Sequence, residues 1–281
     1  MRTITAADGN TFQLNGPLLA DCMVARNAVA KTIFPVISAY YIQDARVENL
    51  TVDGRKTHNP HLNGCRGAGI FLYRAHRTHI LNCVVRDYHG DGISFQQSND
   101  VVVEHCTCHG NTHLGLHPGS GSQRPTIRHC RTFENGQIGL FLCWRVRHGL
   151  FENNEILGNG EIGISIGHKD FDNVFRNNII VGNGRYGIYF RDETEPMAGH
   201  RNRFEGHRIQ DNGDEKEGYG VYIDGETHDI TIIDSVIGDT RPEGQKHQRV
   251  GVYIGPKADR ITLEGCDLNG NAEHAVQDTR A

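Results

Sequence analysis

The chain lacks the features that would place it in several common classes of protein. It has no apolar stretch near the roughly 18 residues that a membrane-spanning helix needs, and no apolar segment follows Arg2 as it would in a secretory signal peptide. Basic residues are not in excess, because 29 Lys and Arg stand against 34 Asp and Glu. We therefore expect no membrane span and no nucleic-acid partner. The compartment stays open between the cytoplasm and secretion after loss of a signal, and the oligomeric state stays open as well.

Hydrophobic residues and tryptophan are also scarce, at 37% of the chain and a single Trp. The 281 residues contain instead 34 Gly and 17 His. The glycines recur in a short pattern: Gly, an aliphatic residue, any residue, then a residue that is usually apolar. Its glycines are Gly69, Gly92, Gly115, Gly139, Gly163, Gly187, Gly220 and Gly251. Their spacings are 23, 23, 24, 24, 24, 33 and 31 residues, so the repeat has a period of about 24 residues.

A second column of small side chains repeats in step with the glycines and accounts for several cysteines. Its members are Cys83, Cys106, Cys130, Asn154, Asn178, Ser235 and Cys266. Cysteines in such a column behave as small buried hydrophobes, and the eight cysteines show no pairing pattern, so we expect them to be reduced thiols. Cys106 and Cys108 resemble a zinc-ligand pair, but they belong to this periodic core, and we expect no metal there.

A 24-residue period with short strands and Asn-Gly turns predicts a parallel β-solenoid. No Leu-x-x-Leu-x-Leu skeleton supports a leucine-rich repeat. The repeats resemble the right-handed parallel β-helix of the pectate-lyase-like superfamily, which implies an all-β fold of about ten coils. We expect a single domain over residues 1–281, with a cap or first coils at 1–38, regular coils at 39–276 and a tail at 277–281.

Residues at equal distance from the glycine should stack in columns about 4.8 Å apart. Strand alternation predicts that the residues one and three positions after the glycine, such as Ile164, face inward. The glycine itself and the residues two and four positions after it should then face outward. The longer spacings over 192–218 and 224–249 predict loops that wall one side of the resulting groove.

The outward columns contain hydrogen-bonding side chains that border a floor of Gly and Ser. We predict catalytic roles for a group on three to four successive coils: His117, Arg145, His168, Lys169 and Asp192. We predict substrate contacts for the polar and aromatic residues around them: Gln96, His113, Trp144, Glu161, Arg185, Tyr189, Arg191 and Glu193. A surface of this kind suits a polysaccharide or oligosaccharide partner.

The superfamily that the repeats resemble includes lyases, uronate epimerases, glycoside hydrolases and phage tail proteins. No motif in this sequence distinguishes among these classes. The Gly-His-Gly tripeptide of polygalacturonases and the Asp-Pro-His-Asp motif of alginate epimerases are both absent; Leu116-His117-Pro118-Gly119 is a distant echo of the second. We favour lyase or epimerase chemistry on a uronic-acid polymer, in which Arg145 neutralises the carboxylate and Lys169 is the base. His117 or Tyr189 would be the acid.

Two alternatives to this chemistry remain. A glycoside hydrolase would use a carboxylate pair from Glu161, Asp192 and Glu193. A non-catalytic solenoid would bind a glycan or serve as structure. Ca²⁺ is a further candidate for neutralising the substrate carboxylate, and we expect no other cofactor.

Overall fold

The computed structural model describes residues 4–9, 11–18, 23–26 and 35–280. The chain divides into two units, residues 1–33 and 34–281. In the first unit, β1 (Ile4–Asp8) and β2 (Thr11–Leu14) form an antiparallel pair, and a 3-10 helix spans Val24–Arg26. No helix among the described residues is long and apolar enough to cross a membrane. The assignment of all 281 residues to one domain stays a prediction.

Three parallel sheets form the second unit, with strands numbered here in chain order. The ten-stranded sheet contains β3 (Ile37–Tyr40), β6 (Ala68–Tyr73), β9 (Asp91–Gln96), β12 (Leu114–Gly119), β15 (Ile138–Phe141), β18 (Ile162–Ile166), β21 (Tyr186–Phe190), β24 (Tyr219–Ile223), β27 (Val250–Ile254) and β29 (His274–Asp278). The nine-stranded sheet contains β4 (Arg46–Glu48), β7 (His79–Leu81), β10 (Val102–Glu104), β13 (Thr126–Arg128), β16 (Leu150–Glu152), β19 (Val174–Arg176), β22 (Arg203–Glu205), β25 (His228–Ile233) and β28 (Asp259–Glu264). The eight-stranded sheet contains β5 (Thr51–Asp53), β8 (Val84–Arg86), β11 (Thr107–His109), β14 (Arg131–Phe133), β17 (Glu155–Leu157), β20 (Ile179–Val181), β23 (Arg208–Gln210) and β26 (Val236–Gly238).

Each strand pairs with the equivalent strand of the next coil, which confirms the predicted parallel β-helix. Leu140 of β15 is in register with Leu116 of β12 on one side and with Ile164 of β18 on the other. The ten strands of the largest sheet correspond to the expected ten coils. The predicted loops at 192–218 and 224–249 contain β22, β23, β25 and β26, so that prediction was wrong in extent. The longer connections are 191–202, 211–218 and 239–249, which flank these strands.

The core is filled by columns of identical or similar side chains. Ile164 is fully buried, as predicted, and Phe151, Phe175 and Phe204 stack with ring centroids 4.6–4.8 Å apart. Since an aliphatic column and an aromatic stack both repeat at the coil spacing, every coil buries its apolar residues against two neighbours.

Two ladders of buried polar side chains join the coils. In the first, each asparagine accepts hydrogen bonds from the backbone and side-chain amides of the rung before it; its rungs include Asn111, Asn135, Asn159, Asn183 and Asn212. The sequence predicted only turns at these asparagines. The second ladder is the predicted Cys/Asn column, and His207 fills the rung between Asn178 and Ser235.

The repeat glycines face inward, so the prediction that they form the floor of an outer groove was wrong. A Cβ on Gly139, Gly163 or Gly187 would lie 2.5–2.7 Å from a methyl group of a core isoleucine. The strand is irregular at this point, because both the glycine and the aliphatic residue after it face the core. Consequently the outer face carries the residue before the glycine and the residues two and four positions after it.

Asn159→Ala should destabilise the protein by about 1–3 kcal/mol, because Asn159 Oδ1 accepts hydrogen bonds from both amides of Asn135, and their loss leaves buried N–H groups unpaired. This decrease in the free energy of unfolding corresponds to a fall in melting temperature of several degrees, at roughly 2–4 °C per kcal/mol for a chain of this size. The exposed Asn63→Ala is the control and should melt like the parent. Equal melting of the two variants would contradict a structural role for the ladder.

Candidate functional site

The outer face of the ten-stranded sheet carries a buried histidine with a carboxylate partner. His117 of β12 is 5% exposed, and its Nδ1 lies 2.7 Å from Oδ2 of Asp91, which is 3% exposed on β9. Its Nε2 is buried and has no hydrogen-bond partner. Burial lowers the pKa of His117, but the Asp91 carboxylate and the Cys143 thiol outweigh burial and raise it to about 9. The ring is therefore held in its protonated form at neutral pH.

Cys143 lies beside this histidine, on the next coil. It forms an isolated parallel bridge with Gly119, two residues after His117. A Cβ at Gly119 would lie 3.0 Å from the Cβ of Cys143 and 2.6 Å from Oε1 of Gln96, so only glycine leaves room for these side chains. Gln96 is 2% exposed; its Nε2 donates to Ser94 Oγ at 3.0 Å, and its Oε1 has no partner.

Arg191 of the β21 coil lies over the same face. Its guanidinium donates to Ser165 Oγ at 2.8 Å and to Asp170 Oδ2 at 3.1 Å, and its Cζ is 4.9 Å from the centre of the Phe141 ring. A Cβ on Gly167 would be 2.6 Å from Arg191 Nε, so this glycine makes space for the arginine.

Burial shifts the pKa of both members of the Arg191–Asp170 ion pair. It lowers the pKa of Arg191, and it raises the pKa of Asp170 to about 7 although the Arg191 charge opposes that increase. We call Asp91, His117, Cys143, Asp170 and Arg191 the inner cluster.

A second group, which we call the rim, follows the strands on the next residues: Trp144, Arg145, His168, Lys169 and Glu193. Trp144 is 42% exposed and stacks on His168 with ring centroids 4.9 Å apart. His168 Nε2 lies 2.7 Å from Glu193 Oε1. Burial, and then the nearby Arg191, lower the pKa of His168. The sequence predicted this grouping; the structure brings Trp144, Arg145, His168 and Glu193 into contact, and Lys169 follows His168 in the chain.

The two cationic residues of the rim, Arg145 and Lys169, have strained backbone conformations. Trp144 and Arg145 have φ values of 61° and 65°, and His168 and Lys169 have values of 47° and 66°. These are the only two pairs of consecutive non-glycine residues in the left-handed region within the described part of the chain. Each such residue costs roughly 1–3 kcal/mol, a strain that clusters at functional sites. Arg145 contacts the Trp144 ring at 5.7 Å, and neither cation has an acidic partner among the described residues.

Tyrosines continue the outer face beyond the inner cluster. Tyr189 stacks on Tyr186 at 4.8 Å, and Tyr222 stacks on Tyr253 at 4.3 Å. Burial raises the pKa of Tyr189. Arg185 is bound to Glu217, which also accepts a hydrogen bond from Tyr186, so Arg185 is already paired with an acid. These residues form an aromatic surface next to the charged site.

The remaining predicted residues lie at the edges of this face. His113 Nε2 is 2.7 Å from His61 Nε2, and burial lowers the pKa of His113. Glu161 precedes β18, whereas Asp192 and Glu193 follow β21. The five strand residues that lie between these acids alone span roughly 16 Å, at about 3.3 Å per residue. A hydrolase pair needs about 5–9.5 Å, so Glu161 cannot pair with either of them.

One group among the described residues has ligand atoms close enough for a metal ion: Glu195, His200 and His228. Both ring nitrogens of His200 are already engaged, because Nδ1 accepts from the His228 backbone at 3.2 Å and Nε2 bonds the Glu195 carbonyl at 2.8 Å. His228 Nδ1 is likewise 2.7 Å from Asp229. The hydrogen bonds of these histidines therefore do not fit a metal centre.

Sequence reasoning missed two carboxylates of the inner cluster and gave Cys143 no role. Asp91 was overlooked because strict alternation placed the residue before the glycine inward. Asp170 follows Lys169 and was assigned no function, although its Oδ1 accepts a hydrogen bond from the Val146 backbone inside the coil. The signal that could have found Asp91 is that it precedes Gly92 where the other coils have an apolar residue or His274.

Residues 43–196 match the family model described as a right handed beta helix region. No curated protein matches the chain. Similar solved structures share the fold at low sequence identity. The periplasmic alginate epimerase AlgG is 14% identical, with a TM-score of 0.55 over 71% of this chain and 47% of its own length. The chain thus spans about half of AlgG.

Two further structures are similar over a larger share of their own chains. The A-module of the Azotobacter vinelandii mannuronan C-5 epimerase AlgE6 is 14% identical, with a TM-score of 0.54 over 86% of this chain and 76% of its own. The alginate lyase from Paenibacillus sp. str. FPU-7 is 14% identical, with a TM-score of 0.52 over 79% of this chain and 75% of its own. At this identity the similarity shows the fold alone.

The stability of the protein should fall as the pH rises from about 6.5 to 9, because the folded state holds the His117 proton up to a pKa of about 9 and the unfolded chain releases it near 6.5. The stabilisation is complete below pH 6.5 and amounts to roughly 3 kcal/mol, at about 1.4 kcal/mol per pKa unit. His117→Gln should show a flatter dependence in thermal melts across this range. The exposed His105→Gln should keep the parent slope, and an unchanged slope in His117→Gln would contradict the assignment.

Proposed function

Because this chain belongs to the right-handed β-helix family, we propose that it binds an anionic, uronic-acid-containing polysaccharide on the outer face of its ten-stranded sheet. There it acts by lyase or epimerase chemistry. The polysaccharide would lie across successive coils of the protein, over the inner cluster, the rim and the tyrosines. The solved structures with this fold include two alginate epimerases and an alginate lyase, enzymes whose substrate is a uronic-acid polymer. Their names support the substrate class, and the argument for this chain comes from its own residues.

The observation that carries the proposal is the pair of rim cations. Arg145 and Lys169 occupy equivalent positions on adjacent coils, both with left-handed backbone, and neither has an acidic partner among the described residues. Other arginines on these coils are paired, such as Arg131 with Glu155 and Arg176 with Glu205. Two strained, unpaired cations about one coil spacing, roughly 5 Å, apart suit an anionic partner whose charges repeat along a chain.

The aromatic side chains supply the apolar contacts that a sugar ring needs. The Trp144 ring is exposed at the rim, and Tyr189, Tyr222 and Tyr253 continue the surface along the next coils. Aromatic rings bury a large apolar area while their polar atoms remain available for hydrogen bonds. This combination would hold the polymer backbone, and the cations would hold its carboxylates.

The chemistry requires neutralisation of the carboxylate, removal of the proton on the adjacent carbon, and delivery of a proton to the leaving oxygen or the opposite face. Arg191, beside the inner cluster, is placed for the first task at the reacting sugar, and the rim cations Arg145 and Lys169 would hold the carboxylates of neighbouring sugars. His117 is placed for proton delivery, because its high pKa keeps Nε2 protonated at neutral pH and Asp91 fixes the ring. Tyr189 is the second candidate for the acid. The sequence-based role of Lys169 as base stays a prediction.

A panel of acidic and neutral polysaccharides tests the proposal. With polyuronates, a lyase product contains a carbon–carbon double bond conjugated to the carboxylate, so ultraviolet absorbance should rise. An epimerase would instead exchange the proton beside the carboxylate with deuterated solvent, without that absorbance. Reducing ends released without either signal would indicate a hydrolase, and a folded protein inert towards every acidic glycan would contradict the proposal.

Arg145→Ala and Lys169→Ala should each weaken binding of the polyuronate by roughly ten- to a hundredfold, the loss expected for a hydrogen bond to a charged group worth about 1.5–3 kcal/mol. The effect should shrink at high salt. Affinity for the polymer and thermal melts of both variants would be measured. Arg208→Ala is the matched control, since Arg208 is exposed on β23 of another sheet and has no acidic partner among the described residues. Equal affinity of all three variants would exclude the rim as the binding surface.

A further inference from the structure

We infer that Cys143 is the base that removes the substrate proton, with His117 as the matching acid. The inference deepens the proposed function and rests on it. It assigns a task to a thiol that neither the ladders nor the rim uses. It also replaces Lys169 as the base.

His117 has one ring nitrogen that is fixed by a carboxylate and one that is unused. His117 is 5% exposed, its Nδ1 is fixed by Asp91 at 2.7 Å, and its Nε2 is buried without a hydrogen-bond partner. Leaving a buried polar atom unpaired costs about 1–3 kcal/mol. Cys143 lies beside this imidazole on the next coil, and an imidazole held by a carboxylate next to a cysteine is the arrangement that activates a thiol.

The position of the cysteine also supports this role. Cys143 pairs with Gly119, whose missing side chain leaves the space between Cys143 and Gln96 open. Cys143 is half-buried, so its sulfur is within reach of a ligand on the outer face, whereas Cys83, Cys106, Cys108 and Cys130 are buried. A hydrogen bond to the next cysteine of the ladder, together with burial, raises the pKa of Cys83 and Cys106, and burial raises that of Cys108, so all three stay protonated thiols.

Positively charged side chains lie beside the sulfur. Cys143 is next to two cations, protonated His117 and Arg191. The other charged or titratable groups that face these three side chains are Cys65, Asp91, His113, His168, Asp170, Tyr189 and Glu193. Cations beside a cysteine favour its thiolate form.

Geometry favours Cys143 over Lys169 for the same task. In an elimination, the proton and the leaving oxygen are on adjacent carbons, so the acid and the base must lie a few ångströms apart. Lys169 lies beyond the end of β18, in left-handed backbone, and is two coils from His117. Cys143 is one coil and two strand positions away, roughly 8 Å between Cα atoms, with side chains directed to the same face.

The proton balance closes without an additional reactant. The proposed step starts from the sulfur as a thiolate and from protonated His117. The C5–H bond breaks, its proton goes to the sulfur, the C4–O bond breaks as the double bond forms, and Nε2 of His117 protonates the leaving oxygen. The thiol then returns its proton to Nε2, which restores the pair. For an epimerase, the C4–O bond stays intact, Nε2 of His117 donates its proton to the face of C5 opposite the sulfur, and the thiol then returns its proton to Nε2.

The test compares Cys143→Ala and Cys143→Ser with Cys266→Ser, a half-buried thiol of the second ladder that serves as control. We expect the first two to lose turnover on the polyuronate by about 10²–10⁴-fold with KM little changed, and the control to match the parent. In the unmodified protein, iodoacetamide at pH 6–7 should alkylate Cys143 faster than the other cysteines, as mapped by mass spectrometry. His117→Gln should move that alkylation to higher pH.

Three outcomes separate the inference from the proposed function. Turnover in Cys143→Ala within a few-fold of the parent, or alkylation of Cys143 at the rate of an ordinary thiol, overturns the inference and leaves the proposed function standing. A parent protein inactive on every polyuronate overturns both. If Cys143→Ala fails to fold, selective alkylation decides: activity that survives full modification of Cys143 excludes it as the base.

Discussion

The hydrogen bonds between neighbouring coils determine where each residue of the candidate site lies. An asparagine rung such as Asn159 accepts two bonds from the coil before it and donates to Asn183 on the coil after it. Because the rungs are buried, a coil cannot slip by one residue without leaving amides unpaired in the core. The hydrogen bonds of the interior therefore fix the register of the outer face. As a result, side chains that are 23 to 26 residues apart in sequence are neighbours on that face.

The inner cluster is connected to this interior through Asp170. One of its oxygens accepts a hydrogen bond from the Val146 backbone at 2.9 Å, as a ladder rung does, and the other holds the Arg191 guanidinium. The same carboxylate thus stabilises a coil and positions a cation on the outer face. Burial strengthens these interactions, since the effective dielectric is low away from water. It also makes the pKa of His117 depend on its neighbours Asp91 and Cys143.

The sequence was sufficient to predict what the repeat determines. The coil period, the inward position of Ile164 and the Cys/Asn column follow from columns of similar residues, and the structure confirms all three. It was insufficient where the backbone departs from alternation. The irregular step at each repeat glycine reverses the facing of the residue before it, which hid Asp91. His207 was hidden for another reason: a histidine fills a rung elsewhere held by Asn, Ser or Cys.

Unsatisfied polar atoms and the two pairs of consecutive left-handed residues lie on the coils of the site, and the architecture explains how the fold tolerates them. Eight buried side-chain nitrogen or oxygen atoms among the described residues have no partner, and four of them belong to Gln96, His117, His168 and Arg191. The stability of a repeat protein is approximately a sum over coils and their interfaces. A coil with satisfied ladders and a stacked core can therefore offset an unpaired Nε2 or a left-handed Arg145 on its own outer face. Ligand-binding groups can accumulate on neighbouring coils without a change in the register that aligns them.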